Sequence, residues 1–227
     1  MKLKFVGKKK EIENVYSFIF EPIKKSKWLP GQYLHYDLPH PTPDDRDIGR
    51  FFTISAAPFE KHIQLTTRFD PERSSTFKKV LQKLDLGSIV QAGEPRGDFL
   101  LEPDTTRHVL IAGGIGVTPY HSMLLQLDHD GKPLNADLLY ANRDDNFVFD
   151  DEFQNLASKH PEFKIIKFVG DHHIQESDLK PYLDDPNIFF YISGPRPMVE
   201  AYQHLLEGLD INPESIKTDY FPGYQLG

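Results

Sequence analysis

Residues 109–119 read Val109-Leu110-Ile111-Ala112-Gly113-Gly114-Ile115-Gly116-Val117-Thr118-Pro119, and their order decides the fold class. Four apolar residues make a short strand of the kind that parallel sheets bury on both faces. Glycines follow at once, so the backbone can turn sharply and approach a ligand closely. Thr118 can cap a helix with Pro119 in its first turn, and Met123, Leu124 and Leu127 continue its apolar side. Such a turn suits a phosphate, because the helix start offers unpaired N–H groups and the positive end of a dipole. The spacing is not Gly-x-Gly-x-x-Gly, since Pro119 holds the third position, nor is it a Walker A loop, since no Gly-Lys-Ser/Thr follows. On these residues alone a tight turn without a ligand stays open.

Toward the C-terminus strands and helices alternate. Asp137 to Ala141 is a second strand, Phe163 to Val169 a third and Ile188 to Ile192 a fourth. Between them, Asp150 or Asp151 opens a helix with Phe153, Leu156 and Ala157 inward. Pro195 opens another with Met198, Val199, Tyr202, Leu205 and Leu206, closed by Gly208. This order predicts an open parallel sheet with helices on both faces. Ser193-Gly194-Pro195-x-x-Met198 places a second strand-to-helix turn where such sheets bind ligands, although read alone it is more simply a helix start.

Toward the N-terminus, residues 1 to about 100 read as β. Lys2 to Gly7, Val15 to Glu21, Gln32 to Leu38, Phe51 to Ala56, His62 to Arg68 and Ser88 to Ala92 are strand-like. One helix interrupts, capped by Ser74 or Ser75, with Phe77, Val80, Leu81 and Leu84 at helical spacing and Gly87 at its end. Strands this short and frequent predict a barrel or sandwich. A polar, proline-rich loop, Pro39 to Asp47, precedes Arg50-Phe51-Phe52-Thr53-Ile54-Ser55. Alternation puts Arg50, Phe52 and Ile54 on one side of that strand and Phe51, Thr53 and Ser55 on the other. From spacing alone, an edge strand with a surface arginine is the simpler reading. Trp28 and Phe69 either pack the barrel or touch a bound adenine. The character of the chain changes near Glu102-Pro103-Asp104, which divides it into residues 1–103 and 104–227.

With 227 residues, 39% of them hydrophobic and 26% charged, the chain can build a packed core. A net charge of -8 argues against a nucleic-acid partner, which needs a broad basic face. The absence of cysteine excludes disulfides, thiolate catalysis and a cysteine-held iron–sulfur cluster in these residues. No apolar run approaches the ~18 residues of a membrane span, and a cytoplasmic setting is the default. His172-His173 is the one adjacent histidine pair and lacks further ligands at metal spacing, so no metal site is expected.

Taken together, the motifs resemble the ferredoxin–NADP reductase superfamily, in order and over essentially the whole chain. The likeness is greatest to bacterial stand-alone FAD/NAD(P)-binding oxidoreductases that lack an iron–sulfur domain. Pro30-Gly31-Gln32-Tyr33 resembles the strand before the flavin motif, and Arg50 to Ser55 resembles Arg-x-Tyr-Ser/Thr-x-Ser. Gly113 to Pro119 resembles Gly-Gly-x-Gly-x-Thr-Pro, and Ser193 to Met198 resembles Cys-Gly-Pro-x-x-Met. Pro95 to Phe99 resembles a Gly-Pro-x-Gly-x-Phe turn with Glu94 in place of glycine. The last segment, through Phe221-Pro222-Gly223-Tyr224, resembles the family's closing strand.

The resemblance implies an α+β two-domain fold: an N-terminal antiparallel Greek-key β-barrel for the flavin, and a C-terminal α/β parallel-sheet domain for the nucleotide. It implies FAD and NADH or NADPH as cofactors. Arg50 would pair with the flavin pyrophosphate, Phe52, in a tyrosine's place, would lie beside the ring system, and Thr53 would stand near flavin N5. Phe51, Ile54, Ser55 and Thr67 complete the flavin set, and Ser74, Ser75 and Thr76 resemble a second phosphate segment. Gly114, Gly116, Val117 and Thr118 would cradle the nicotinamide nucleotide's pyrophosphate. Asn142 and Arg143 would meet the adenosine ribose, with Asp144 and Asp145 opposing a 2′-phosphate. Ser193, in a cysteine's place, would approach the nicotinamide beside Gly194, Pro195 and Met198. Asp219 stands for the family's acidic residue, and Phe221 or Tyr224 would cover the flavin. Thr53, Ser193 and Asp219 are the residues expected at the reacting atoms. The implied activity is a flavin-dependent NAD(P)H oxidoreductase with an unidentified electron acceptor. A reductase component serving a separate iron–sulfur or haem protein is the alternative, and a non-catalytic nucleotide-binding regulator a further one.

Overall fold

The computed structural model describes residues 1–45, 47–103 and 107–221, the side chain of Phe221 excepted. Six strands build the first sheet: β1 (Lys2–Ile12), β2 (Val15–Pro22), β3 (Tyr33–Asp37), β4 (Gly49–Thr53), β5 (Ile63–Arg68) and β6 (Ile89–Ala92). They lie in the order β4-β3-β6-β1-β2-β5, every pairing antiparallel. Just past β4, the Ser55 N–H donates to Gln64 O of β5 at 2.9 Å. That bond draws the two edge strands together and closes the sheet into a barrel. Phe5, Phe18, Phe20, Leu34, Tyr36 and Ile54 fill the inside, and Trp28 and Phe69 join this core as packing residues.

Helix α1 (Thr76–Gln82) covers one end of the barrel with Phe77 and Leu81 buried. Ser75 is its cap, accepting from Lys78 N at 3.3 Å. The helix ends at Lys83, not at Gly87 as expected. Lys83 N bonds Val80 O at 3.0 Å and Leu84 N bonds Leu81 O at 3.3 Å, so the last turn tightens and stops the helix early. Gly87, at φ +88°, instead serves the turn into β6.

The second sheet is parallel: β7 (Arg107–Gly113), β8 (Ala136–Asn142), β9 (Lys164–Val169), β10 (Ile188–Pro195) and β11 (Ile216–Phe221), ordered β11-β10-β7-β8-β9. Its helices are α2 (Thr118–His129), α3 (Asp150–Lys159), α4 (Glu176–Leu179) and α5 (Arg196–Gly208). Leu110, Leu138 and Tyr140 point toward Tyr120, Leu124 and Phe153 of α2 and α3. Val109, Leu139 and Phe190 point the other way, toward Leu179 of α4 and Val199 and Leu206 of α5. Strand alternation therefore produces the expected helices on both faces. Thr118 does not cap α2. A 3-10 turn over Gly114–Val117 runs straight into the helix, and the Thr118 hydroxyl donates back to Ile115 O at 3.1 Å.

Helix α2 joins the two sheets. His121 Nδ1 lies 2.7 Å from Ser55 O, Ser122 Oγ donates to Ala56 O at 2.8 Å, and Phe59 N donates to Gln126 Oε1 at 3.0 Å. Phe59 stacks on His129 with ring centroids 4.1 Å apart. Phe99, on the segment between the sheets, packs into the core of the second. Among the described residues no helix is long and apolar enough to cross a membrane.

Candidate active site

The second sheet reverses its direction of growth at β7. Strands β8 and β9 add on one side of it, β10 and β11 on the other. The carboxyl ends of β7 and β10 therefore flank the crevice where open α/β sheets take ligands. The Gly113 turn leaves the first and Ser193-Gly194-Pro195 the second, with Ala112 and Ser193 in register. A side chain at Gly116 would strike the Ser193 carbonyl, and one at Gly113 the Met198 sulfur. A side chain at Gly194 would sit 2.8 Å from Met198 Cε and 3.2 Å from Gly113 Cα. These glycines are thus required by the contact of two turns, which Met198 covers. Below them, Tyr120 donates to Ile111 O at 3.1 Å and Tyr191 O at 2.9 Å, and Tyr140 to Gly114 O at 3.1 Å. The turn rests on fixed phenols whose hydroxyls burial keeps protonated.

A cavity of about 290 Å³ opens where the sheets meet. Tyr33, Phe51, Phe52 and Thr53 line it from the barrel, and Thr218, Asp219 and Tyr220 from β11. Asp219 pairs in register with Ser193. Ser193 is fully buried, with its hydroxyl near the Asp219 carboxyl. Burial pushes the Asp219 carboxyl up to about 6, with the nearby Ser193 hydroxyl pulling the other way. A buried hydroxyl beside a carboxyl that titrates near neutrality is a polar focus in an otherwise aromatic cavity.

On β4 the expected alternation holds. Phe51 is 57% exposed and meets Tyr33 and His35, whereas Phe52 turns toward Tyr36 and Phe77. Arg50 is not a surface residue. It is buried, with its guanidinium 5.9 Å from the Phe77 ring. Its Nη1 donates to Asp47 O at 2.9 Å and Gly49 O at 2.6 Å, and its Nη2 pairs with the Asp44 carboxylate. Asp44 Oδ2 also accepts from Thr76 N and Thr76 Oγ1, each at 3.1 Å.

Residues 110–204 match the family described as the oxidoreductase NAD-binding domain. The segment from β7 to α5 is therefore similar to oxidoreductase NAD-binding domains. Over 230 residues it is 24% identical to a flavohemoprotein of Burkholderia sp. (strain TH2), covering 94% of this chain and 57% of that protein. Over 218 residues it is 25% identical to the 2-halobenzoate 1,2-dioxygenase electron transfer component of Burkholderia cepacia, covering 91% and 62%. The chain thus spans about three-fifths of the length of these curated relatives. Its fold matches the flavohem-like FAD/NAD binding domain of nitric oxide dioxygenase from Vibrio cholerae O1 biovar El Tor with a TM-score of 0.81 at 21% identity. That match covers 97% of this chain and 98% of the other.

The structure gathers Phe51, Phe52, Thr53 and Asp219 at one cavity. It brings Gly114, Gly116, Val117, Thr118, Ser193, Gly194, Pro195 and Met198 together at the crevice. It turns the side chains of Ile54 and Ser55 elsewhere. Ile54 is barrel core, and Ser55 Oγ bonds Gln64 O at 3.1 Å and Thr66 Oγ1 at 2.7 Å. Thr67 is buried on β5 opposite Tyr16. Ser74 accepts from Asp70 N at 2.8 Å, Ser75 caps α1, and Thr76 meets Asp44. At the end of β8, Asn142 Nδ2 donates to Asp144 Oδ1 at 3.1 Å and Asn146 O at 2.8 Å, while Arg143 is exposed. The Phe221 side chain and Tyr224 lie outside the described residues. Sequence reading missed Tyr33, Tyr220 and above all Asp44. An acidic loop placed immediately before Arg50 was the available signal for the last. Among the described residues no group of three or more His, Asp or Glu could hold a metal ion.

Proposed function

We propose that the chain is a flavin-dependent NAD(P)H oxidoreductase. Residues 1–103 would hold FAD, residues 104–227 NADH or NADPH, and the electrons would leave to an acceptor outside the chain. The observation that carries the reading is the cavity itself, because the barrel strand with Thr53 and the α/β strand with Asp219 both line it. Tyr33, Phe51 and Phe52 give it aromatic walls suited to a flat ring system. The buried Ser193 hydroxyl lies beside it, and the Asp44 carboxylate rests on Arg50 as a phosphate would. These residues fit a flavin and a nicotinamide.

A bound flavin would supply the hydride-accepting atom, N5, and the onward electron transfer. The chain's own part is position and charge. Thr53 would present its hydroxyl near that atom, and Ser193 its hydroxyl near the nicotinamide ring at C4. Asp219, with a carboxyl near 6, would hold or release a proton at neutral pH. Arg50 would bind phosphate through its guanidinium fork. A cytoplasmic setting, where reduced nicotinamide nucleotides are supplied, belongs to the same proposal. The test is anaerobic. FAD-reconstituted protein should be yellow and bleached by NADH or NADPH, and a colourless protein that takes up no flavin would sink the reading.

The likeness to an electron transfer component and to flavohemoproteins supports a more specific version, a reductase for an iron–sulfur or haem centre. These 227 residues contain no cysteine, so a cluster would lie outside them. Acceptor-dependent stimulation of NAD(P)H oxidation separates this version from a free flavin or quinone reductase, and tight binding without turnover would mark a regulator.

A further inference from the structure

The carboxylate on Arg50 belongs to the loop between β3 and β4, and it is held from three directions. Arg50 Nη2 pairs with one oxygen, and the Thr76 amide and hydroxyl each donate 3.1 Å to the other. The Asp44 N–H returns a bond to Thr76 Oγ1 at 3.1 Å, and the Asp47 N–H donates to Asp44 O at 3.0 Å. Asp47, at φ +59°, turns the chain so that its carbonyl also accepts from Arg50 at 2.9 Å. The loop is therefore folded onto the arginine. A carboxylate with one oxygen on a guanidinium and the other on an amide and a hydroxyl makes the contacts that one phosphate group would make. Arg50 lies three residues before Thr53 on β4, ~10 Å away at strand spacing. A ring system seated at Thr53 would lead its phosphate tail toward the place Asp44 occupies.

We propose that Asp44 is a specificity-determining residue that acts as an internal competitor for the flavin's phosphates. The proposal rests on the flavin-binding reading above. With Asp44 on Arg50, the arginine's charge is already neutralised, so a phosphorylated flavin gains little over one without phosphate. It must first displace the Asp44 carboxylate, and its apparent affinity falls by the fraction of molecules in which Asp44 is off Arg50. The flavin then behaves as an exchangeable ligand. The ring system, held by the cavity at Thr53, does not sense the loop.

The experiment titrates flavin-free protein with FAD, FMN and riboflavin, following flavin fluorescence, for the wild type, Asp44→Asn, Asp44→Ala and Asp45→Asn. Asp45 is exposed and supplies a control with the same change of net charge. Asp44→Asn should bind FAD and FMN roughly tenfold more tightly while leaving riboflavin unchanged. The melting temperature of its flavin-free form should fall, because the buried Arg50 loses the Asp44 carboxylate. Asp45→Asn should move none of these. FAD affinity that is unchanged or weaker in both Asp44 variants overturns the proposal. So does an equal gain for riboflavin, which would report general opening of the site, or an equal gain in Asp45→Asn, which would report long-range charge. If no form binds any of the three flavins, the flavin reading itself fails. Flavin binding that ignores Asp44 removes only the competitor.

Discussion

Ser193 and Asp219 face each other across the parallel pairing of β10 and β11, residue for residue in register. Burial there favours the neutral form of the Asp219 carboxyl, raised from 3.8 to about 6 against the opposing pull of the Ser193 hydroxyl. Between those values the folded protein binds a proton more tightly than the unfolded chain. Stability must then fall as pH rises through that window, and the cost is complete above about pH 6. Asp219→Asn should flatten this slope between pH 4.5 and 7.5. Near neutrality it should stabilise the protein by on the order of 1–3 kcal/mol, toward the lower figure because the side chain keeps some contact with solvent. Urea midpoints at the two pH values measure both effects. A slope identical to that of the wild type would show an ordinary carboxyl.

The two glycines read from sequence as a phosphate cradle should respond differently to substitution. Gly116 has the Ser193 carbonyl where its Cβ would be, and both partners are backbone. Gly116→Ala cannot relax by turning a side chain, so it should cost several kcal/mol and yield little folded protein. Gly114 is at φ +52° with only Asn142 Oδ1, 3.6 Å from a Cβ. Gly114→Ala pays the left-handed strain alone, about 1–2 kcal/mol, and should still fold. Expression yield and melting temperature distinguish them, and equal losses would contradict the packing described.

Those glycines also show what the sequence makes legible. A glycine after a buried strand announces close approach, but not whether the neighbour is a ligand or another turn. Here β10, distant in sequence, supplies the neighbour. The period-two pattern around Arg50 correctly assigned faces, yet the burial of Arg50 depended on α1 bringing Phe77 over the strand. Gly87 was readable as a helix end only while the tightening at Lys83 was invisible. Alternation of apolar strands and helices after residue 107 was local information, and the parallel sheet followed from it. The Asp44 contacts with Thr76 were not local, because they join a loop to a helix 32 residues later.

His121 makes the seam between the sheets sensitive to acid. Its Nδ1 donates to Ser55 O at 2.7 Å, its ring stacks on Phe149 at 3.8 Å, and its Nε2 is buried without a partner among the described residues. Burial lowers its pKa below 6.5, against the opposing pull of Glu152 on α3, Glu60 after β4 and Glu11 on β1. The unfolded chain therefore takes up the proton first, and stability is lost as pH falls below about 6.5. His121→Asn keeps a donor for Ser55 O but cannot titrate. It should be less stable at pH 7.5, having lost the stacking, and should lose less on moving to pH 5.5. Thermal melts at both values provide the comparison, and an acid loss as large as the wild type's would place the sensitivity elsewhere.

Thr53 carries the most direct functional prediction. It is buried, pairs in register with Tyr33 and lines the cavity with Asp219. If its hydroxyl serves the hydride step, removing that group while keeping the shape should slow reduction without emptying the site. Thr53→Val should bind FAD as the wild type does, with the same absorbance spectrum. Its anaerobic bleaching by NADH should be roughly a hundred- to a thousandfold slower, the range seen when one preorganised hydrogen-bond donor is removed from a reacting centre. Thr53→Ser, which restores the hydroxyl without the methyl, should recover most of the rate. Stopped-flow bleaching of the three proteins at saturating NADH isolates this step from binding and from acceptor chemistry. A valine variant within about twofold of the wild-type rate would mean that position alone, set by β3 and β4, suffices at this residue.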